Sequence, residues 1–281
     1  MYSDRADRPA KVTLKFIASL REAPVAKEVK YQRKSAFRSA EISDFREAKM
    51  LKEFIDKFYL DRQKSKKEQT SFYISEAGKC PRQIFFKFKN APAKELDASF
   101  LRLFDHGEHI HQLIMKPLIG TREIHVVASE VEIPPQELVR GRADAVISDG
   151  KVLYVLDIKS MNSMIFRNLL GPKEENMDQL QLYLHYFKIQ KGILLYVDKD
   201  KLALKEFLVD YDKPRAEKIL SRLTILKKQI DSNTIPPRIM EYPKSWQCQY
   251  CQFRTICDLT NGGELKWEEF KKKIEKVDPN S

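Results

Sequence analysis

Residues 139–160, VRGRADAVISDGKVLYVLDIKS, constrain this chain more than any other stretch. Two runs rich in Val, Ile and Leu flank Ser148-Asp149-Gly150, a turn signature, so they read as neighbouring strands. Asp144 ends one strand-like run; Asp157 and Lys159, two residues apart, end the next. A carboxylate straight after the apolar run VLYVL is costly to bury without a partner. Two carboxylates at adjacent strand ends imply a site for a hard divalent cation, because Mg²⁺ takes oxygen ligands and keeps several waters. The backbone carbonyl of Ile158 offers one more oxygen. A lysine beside such an ion positions a water or counters negative charge developing on a phosphate. The pattern therefore implies a metal-dependent phosphodiesterase centre, against the plainer alternative of an exposed strand end that happens to carry Asp-x-Lys.

Other residues bear on that centre. His106, His109 and His111 fall within one helical segment, 100–119, and an imidazole in the metal shell favours Mn²⁺ over Mg²⁺. Spacing alone does not choose between His109 and His111. Gln179 and Tyr183 are four apart in a helical segment, 174–189, and so share a face that can support a phosphate or a metal-bound water. Cys248-x-x-Cys251-x5-Cys257 places three soft ligands in one local stretch, with Cys80 a fourth from far upstream. Four thiolates suit a structural Zn²⁺ or an iron–sulfur cluster, and unrelated buried thiols are the third alternative. Aromatic and basic residues interleave in RQIFFKFK (82–89), with Tyr242, Trp246, Tyr250 and Phe253 around the later cysteines. Such faces suit stacking on single-stranded nucleic acid, and core packing explains them nearly as well.

Composition bounds these readings. The 51 basic and 40 acidic residues leave a formal charge of +11, which favours a polyanionic partner without identifying it. No apolar run approaches the roughly 20 residues of a membrane helix, and the N-terminal sequence lacks a signal peptide's apolar stretch, so a cytoplasmic setting is expected. In that setting a Cys-x-x-Cys cluster points to metal or redox use rather than disulfides.

Along the chain, residues 1–42 are basic and weakly patterned. Asp44 is placed to cap a helix whose stripe, Phe45, Ala48, Leu51, Phe54, Ile55 and Phe58, is expected to face a core. The charged run 61–69 reads as a helix end or linker. Cys80 and Pro81 open a further helix. Strands are expected at 124–133, 137–148, 151–158, 192–197 and 203–209, with an amphipathic helix at 213–230. The tail, rich in Lys and Glu around Phe270 and Ile274, is expected to be a short surface helix or frayed.

Taken in order, KCPRQIFF, GEHIH, GRADAV, LDIKS, QLQLY and CQYCQFRTIC resemble the motifs of the RecB-like branch of the PD-(D/E)XK nuclease superfamily. The chain is most similar there to the iron–sulfur nucleases of the CRISPR-associated Cas-four type, and the motifs span residues 75–257, about two thirds of it. The resemblance implies an α/β fold with a restriction-endonuclease-like mixed central sheet flanked by helices. It assigns His111, Asp144, Asp157 and the Ile158 carbonyl as ligands of Mg²⁺ or Mn²⁺, Lys159 as catalytic, and Gln179 with Tyr183 as supports, choosing His111 over His109. It gives Cys80, Cys248, Cys251 and Cys257 a [4Fe–4S] cluster. The domain reading is then a partly helical extension at 1–70, a nuclease core at 71–261 and a tail at 262–281. About 70 residues precede the first motif, and no Walker-type phosphate loop occurs, so the chain is not itself a motor. The implied activity is exonucleolytic hydrolysis of DNA, preferably single-stranded, in CRISPR adaptation or in recombination and repair. A CRISPR integrase or recombination proteins are the implied partners, and an oligomer is compatible with it. The competing reading is a non-catalytic DNA-binding or scaffold subunit with a structural cluster or zinc site.

Overall fold

The computed structural model describes residues 49–63, 69–275 and 277. The expected helix cap Asp44 and the residues Phe45 and Ala48 lie outside them. Helix α1 spans Met50–Arg62, followed by strand β1 (Phe72–Tyr73), helix α2 (Pro81–Phe88) and the long helix α3 (Ala98–Gly120). Strands β2 (His125–Glu132), β3 (Val139–Arg140), β4 (Arg142–Ser148) and β5 (Leu153–Met161) come next. After them come α4 (Ser163–Arg167), α5 (Glu174–Phe187), β6 (Lys191–Asp198), β7 (Leu204–Asp210) and α6 (Lys213–Asp231). The C-terminal part holds β8 (Thr234–Ile235), α7 (Trp246–Gln249), α8 (Arg254–Asp258), β9 (Leu265–Lys266) and α9 (Trp267–Ile274).

Five strands form the central sheet in the order β2-β4-β5-β6-β7. Only β5 and β6 run parallel, which makes the sheet mixed. Their connection passes through α4 and α5, as a parallel pair requires a crossover. Both faces of β5 are covered, so it reads as a nearly continuous apolar run rather than an alternating one. On one face Leu156 and Ile158 form a cluster with Ala145, Ile147, Val197 and Ile110 of α3. On the other, Val155 and Leu194 belong to the main core with Leu180 and Leu184 of α5 and Ile219 and Leu223 of α6. The mixed α/β sheet flanked by helices is thus as expected. The β4–β5 turn forms as its residues dictate: Asp149 Oδ1 accepts from the backbone nitrogens of Lys151 and Val152, and Gly150 takes the left-handed φ of +86°.

Three local expectations are corrected. The single strand expected at 137–148 breaks at Gly141. Val139–Arg140 pairs in parallel with β1, and only Arg142–Ser148 joins the main sheet. Asp144 therefore lies near the start of β4, while β5 continues to Met161 beside β6, so that Asp157 and Lys159 stand inside the strand rather than at its end.

The stripe on α1 is not core. None of its described residues is buried, and Phe54 is 71% exposed. Helical periodicity shows only that a face is apolar; tertiary packing decides whether that face is covered. On α3 likewise, Ile110 is buried while Phe104 and Leu113 are exposed.

The tail departs in the opposite direction. Strand β9 pairs with β8, and α9 buries Trp267, Phe270 and Ile274 in the main core. Phe86 stacks on Phe270 at 5.9 Å, and Phe85 meets Trp267 edge-on at 5.9 Å. Phe85 and Phe86 are therefore core residues with no face free for a nucleobase, and each contributes about 1.5–3 kcal/mol by burial. Of the aromatics near the cysteines, Trp246 and Tyr250 remain exposed and Phe253 is buried.

Candidate active site

Strands β4 and β5 pair only from Ala145–Leu156 to Ser148–Leu153; beyond Ala145 they part. The parting follows from Gly141, where the preceding residues turn away to pair with β1. Asp144 and Asp157 stand in the resulting fork. With no β4 carbonyl opposite it, the Ile158 N–H donates to Asp144 Oδ2 at 2.6 Å. The N–H and C=O of a strand residue point to the same side, so the Ile158 carbonyl is also turned toward the fork. Helix α3 brings His111, whose Nδ1 lies 3.3 Å from Asp144 Oδ1. His106 and His109 are exposed on the same helix and make no comparable approach. Helix α5 lies across the other side and supplies Gln179 and Tyr183.

Lys159 Nζ donates to Asp157 Oδ1 at 3.0 Å and to Gln179 Oε1 at 3.1 Å. Gln179 Nε2 donates to the same Asp157 Oδ1 at 3.3 Å, closing a three-residue ring. Asp157 Oδ2 is buried, forms an ion-pair contact with the same ammonium at 2.8 Å and accepts no hydrogen bond. Asp157 is only 2% exposed. That burial pushes its carboxyl pKa up, and Asp144 adds to the rise, while Lys159 opposes it. Asp144 raises the His111 pKa through their contact, against burial. Tyr183 donates to the Arg142 carbonyl at 2.8 Å, and burial, followed by the Asp157 charge, pushes its hydroxyl pKa well above the ordinary value. Gly78 fixes the seat of α5: a Cβ there would stand 2.5 Å from Glu175 Cα, so only glycine allows this approach.

The fold and these side chains can be set beside known proteins. The model of the PD-(D/E)XK nuclease superfamily matches residues 49–258, about three quarters of the chain. The chain belongs to the PD-(D/E)XK nuclease superfamily. It is 28% identical over 222 residues to the CRISPR-associated exonuclease Cas4 of Saccharolobus solfataricus, covering 74% of this chain and 98% of that protein. Among solved structures, that of SSO0001 is similar at 26% identity, with a TM-score of 0.49 over 74% of this chain and 96% of that one. An alkaline exonuclease from Laribacter hongkongensis is similar at 12% identity, with a TM-score of 0.45 over 62% and 92%.

In this nuclease-superfamily chain a second constellation lies away from the fork. Cys80 precedes α2, Cys248 lies in α7, Cys251 follows it and Cys257 lies in α8; all four line one pocket and are free thiols. Gln247 ties the two segments by accepting from the Cys80 N–H at 2.6 Å and donating to the Gly78 carbonyl at 3.1 Å. Burial pushes the thiols of Cys80 and Cys248 up, and that of Cys251 up to about 11. Among the described residues no three His, Cys, Asp or Glu side chains are grouped so as to hold one ion. In the fork the reason is visible: Asp144 is taken up by Ile158 and His111, and Asp157 by Lys159 and Gln179. The residues nonetheless fit a cation there: Asp144, Asp157 and the Ile158 carbonyl bring oxygen ligands into one fork, where the Asp157 Oδ2, which accepts no hydrogen bond, has only the Lys159 ammonium beside it.

Two residues at the cysteine pocket escaped the sequence reading. Arg82 and Arg238 both donate into the segment that carries Cys257. Arg82 stood within KCPRQIFF, but an arginine beside a proline carries no signal of burial.

Proposed function

We propose that this chain is a Mg²⁺- or Mn²⁺-dependent DNA exonuclease acting on single-stranded ends, with a [4Fe–4S] cluster on Cys80, Cys248, Cys251 and Cys257. The observation that carries the catalytic reading is the fork that brings the buried Asp157 together with Asp144, His111 and Lys159. The Saccharolobus relative, matched over nearly its whole length, is named a CRISPR-associated exonuclease, which supports a CRISPR setting for this chain. His111, Asp144, Asp157 and the Ile158 carbonyl would hold the divalent ion. When bound, that ion supplies Lewis-acid charge at a phosphate oxygen and lowers the pKa of a water.

The chain's own groups do the rest. Lys159, anchored by Asp157 and Gln179, orients the attacking water or counters the charge that grows on the phosphate. Gln179 holds the ammonium in place without adding a charge. Tyr183 locks α5 to β4 through the Arg142 carbonyl and remains protonated at neutral pH. The cluster's part is structural: the cysteines join the segment before the sheet to the segment after it. Strands labelled at the 5′ or the 3′ end test the reading. Mn²⁺-dependent release of end label from single strands supports it, and cleavage confined to internal duplex sites overturns it.

A further inference from the structure

Arg82 is 1% exposed, and every acceptor it uses is uncharged. Nε donates to the Pro236 carbonyl at 2.8 Å and Nη2 to the Gly263 carbonyl at 2.8 Å. Nη1 donates to Thr260 Oγ1 at 2.5 Å and to the Asn261 carbonyl at 3.2 Å, and it lies 3.9 Å from the Cys257 sulfur. Arg238 is similar. Its Nη2 donates to the carbonyls of Cys257 and Thr260 at 2.6 and 2.7 Å, its guanidinium lies 4.0 Å from the Tyr242 ring centre, and its buried Nε has no acceptor. Neither arginine has a carboxylate partner among the described residues. The third arginine of the pocket, Arg254, does: Asp258 takes its Nε at 2.8 Å. No Asp or Glu lines the pocket.

A buried guanidinium without an anion is expensive to desolvate, and the partly buried Arg238 adds a second unmatched charge. No carboxylate lining the pocket offsets them. If each thiol loses its proton to solvent as its sulfur binds metal, four thiolates around a core of charge 2+ leave two net negative charges. Zn²⁺ and an oxidised [4Fe–4S] core have this charge alike. The unmatched positive charge of the pocket is then matched. We propose that Arg82 and Arg238 are the built-in counter-charges of a dianionic tetrathiolate metal centre in this pocket, and that the pocket reaches charge balance only when the metal is bound. The inference rests on the reading of the four cysteines as metal ligands, and it holds for either metal.

The test uses cobalt(II) as the probe, since its thiolate complexes absorb in the visible, titrated into the full-length chain after metal removal. Wild type is expected to develop the thiolate–cobalt band. Arg82→Gln and Arg238→Gln are each expected to weaken cobalt binding about tenfold or more, the scale of losing a supporting group beside a metal ligand. Arg254→Gln, whose charge Asp258 already matches, is expected to bind like wild type. Arg82→Lys separates charge from bonding. Lysine keeps the charge but cannot reproduce the guanidinium fork, so recovery of affinity in Arg82→Lys supports the counter-charge role, and affinity as low as in Arg82→Gln overturns it. If Arg82→Gln fails to fold, Arg238→Gln carries the test. Wild-type affinity in Arg238→Gln overturns this inference alone. Absence of the band in wild type overturns the cysteine site and this inference with it.

Discussion

The Asp144 carboxylate accepts the backbone N–H of Ile158 at 2.6 Å across the gap where β4 and β5 part. This contact gives Asp144 two separable duties. It satisfies a strand nitrogen that has lost its β4 partner, and it points a carboxylate into the fork. Asp144→Asn keeps an acceptor oxygen, so it is expected to retain stability while losing metal-dependent turnover. Asp144→Ala removes the acceptor as well and is expected to cost about 1–3 kcal/mol of unfolding free energy in addition. Urea unfolding of the two variants, run beside a nuclease assay, checks the difference.

Gly78 permits an approach that no other residue allows. In Gly78→Ala the new Cβ meets Glu175 Cα at 2.5 Å, so the start of α5 must move. Overpacking of this kind costs about 1–3 kcal/mol. Because Gln179 lies one turn further along α5, the displacement is expected to reach the Lys159 ammonium. Turnover should fall together with the unfolding midpoint, in contrast to Asp144→Asn, and calorimetry with parallel kinetics reads both.

At the end of β6, buried Asp198 accepts from Ser163 Oγ at 2.6 Å and from the Asp200 backbone nitrogen at 2.9 Å. These bonds, the Ser163 hydroxyl first, hold its pKa below the ordinary 3.8. A carboxylate whose folded pKa is depressed contributes stability above its unfolded pKa and loses it as pH falls through the folded value. Ser163→Ala is therefore expected to be destabilised at about pH 6, with the gap from wild type narrowing toward about pH 3. Denaturant melts at both pH values decide it: a gap that is constant or widens on acidification counts against the Asp198 bond as the cause.

Much of the candidate site was legible in the sequence because its parts are local patterns. Asp157 and Lys159 follow an apolar run, Gln179 and Tyr183 share a helix face, and the cysteines have a ligand spacing. The fork was not legible, since it arises from the pairing of Val139 and Arg140 with a strand more than sixty residues upstream. The faces of α1 and α9 show the same limit in opposite senses. Leu51, Phe54 and Phe58 have the period of a core helix and are exposed, whereas Trp267, Phe270 and Ile274 sit among lysines and glutamates and are buried. Periodicity reports which face is apolar, and only the rest of the fold decides what meets it. Arg82 is the extreme case, a charged residue type that is almost never buried, held here by neutral acceptors supplied by residues 236 and 257–263.

The central claim is that Asp157 and Lys159 form the catalytic centre, and Mn²⁺-dependent degradation of end-labelled single-stranded DNA by Asp157→Asn and Lys159→Ala, with thermal unfolding in parallel, tests it most directly. Both variants are predicted to lose about a hundredfold to a thousandfold or more in turnover, the scale of removing a group that stabilises developing charge. Asp157→Asn is predicted to unfold no earlier than wild type, because burial already disfavours the Asp157 charge. Wild-type turnover in either folded variant would contradict the account.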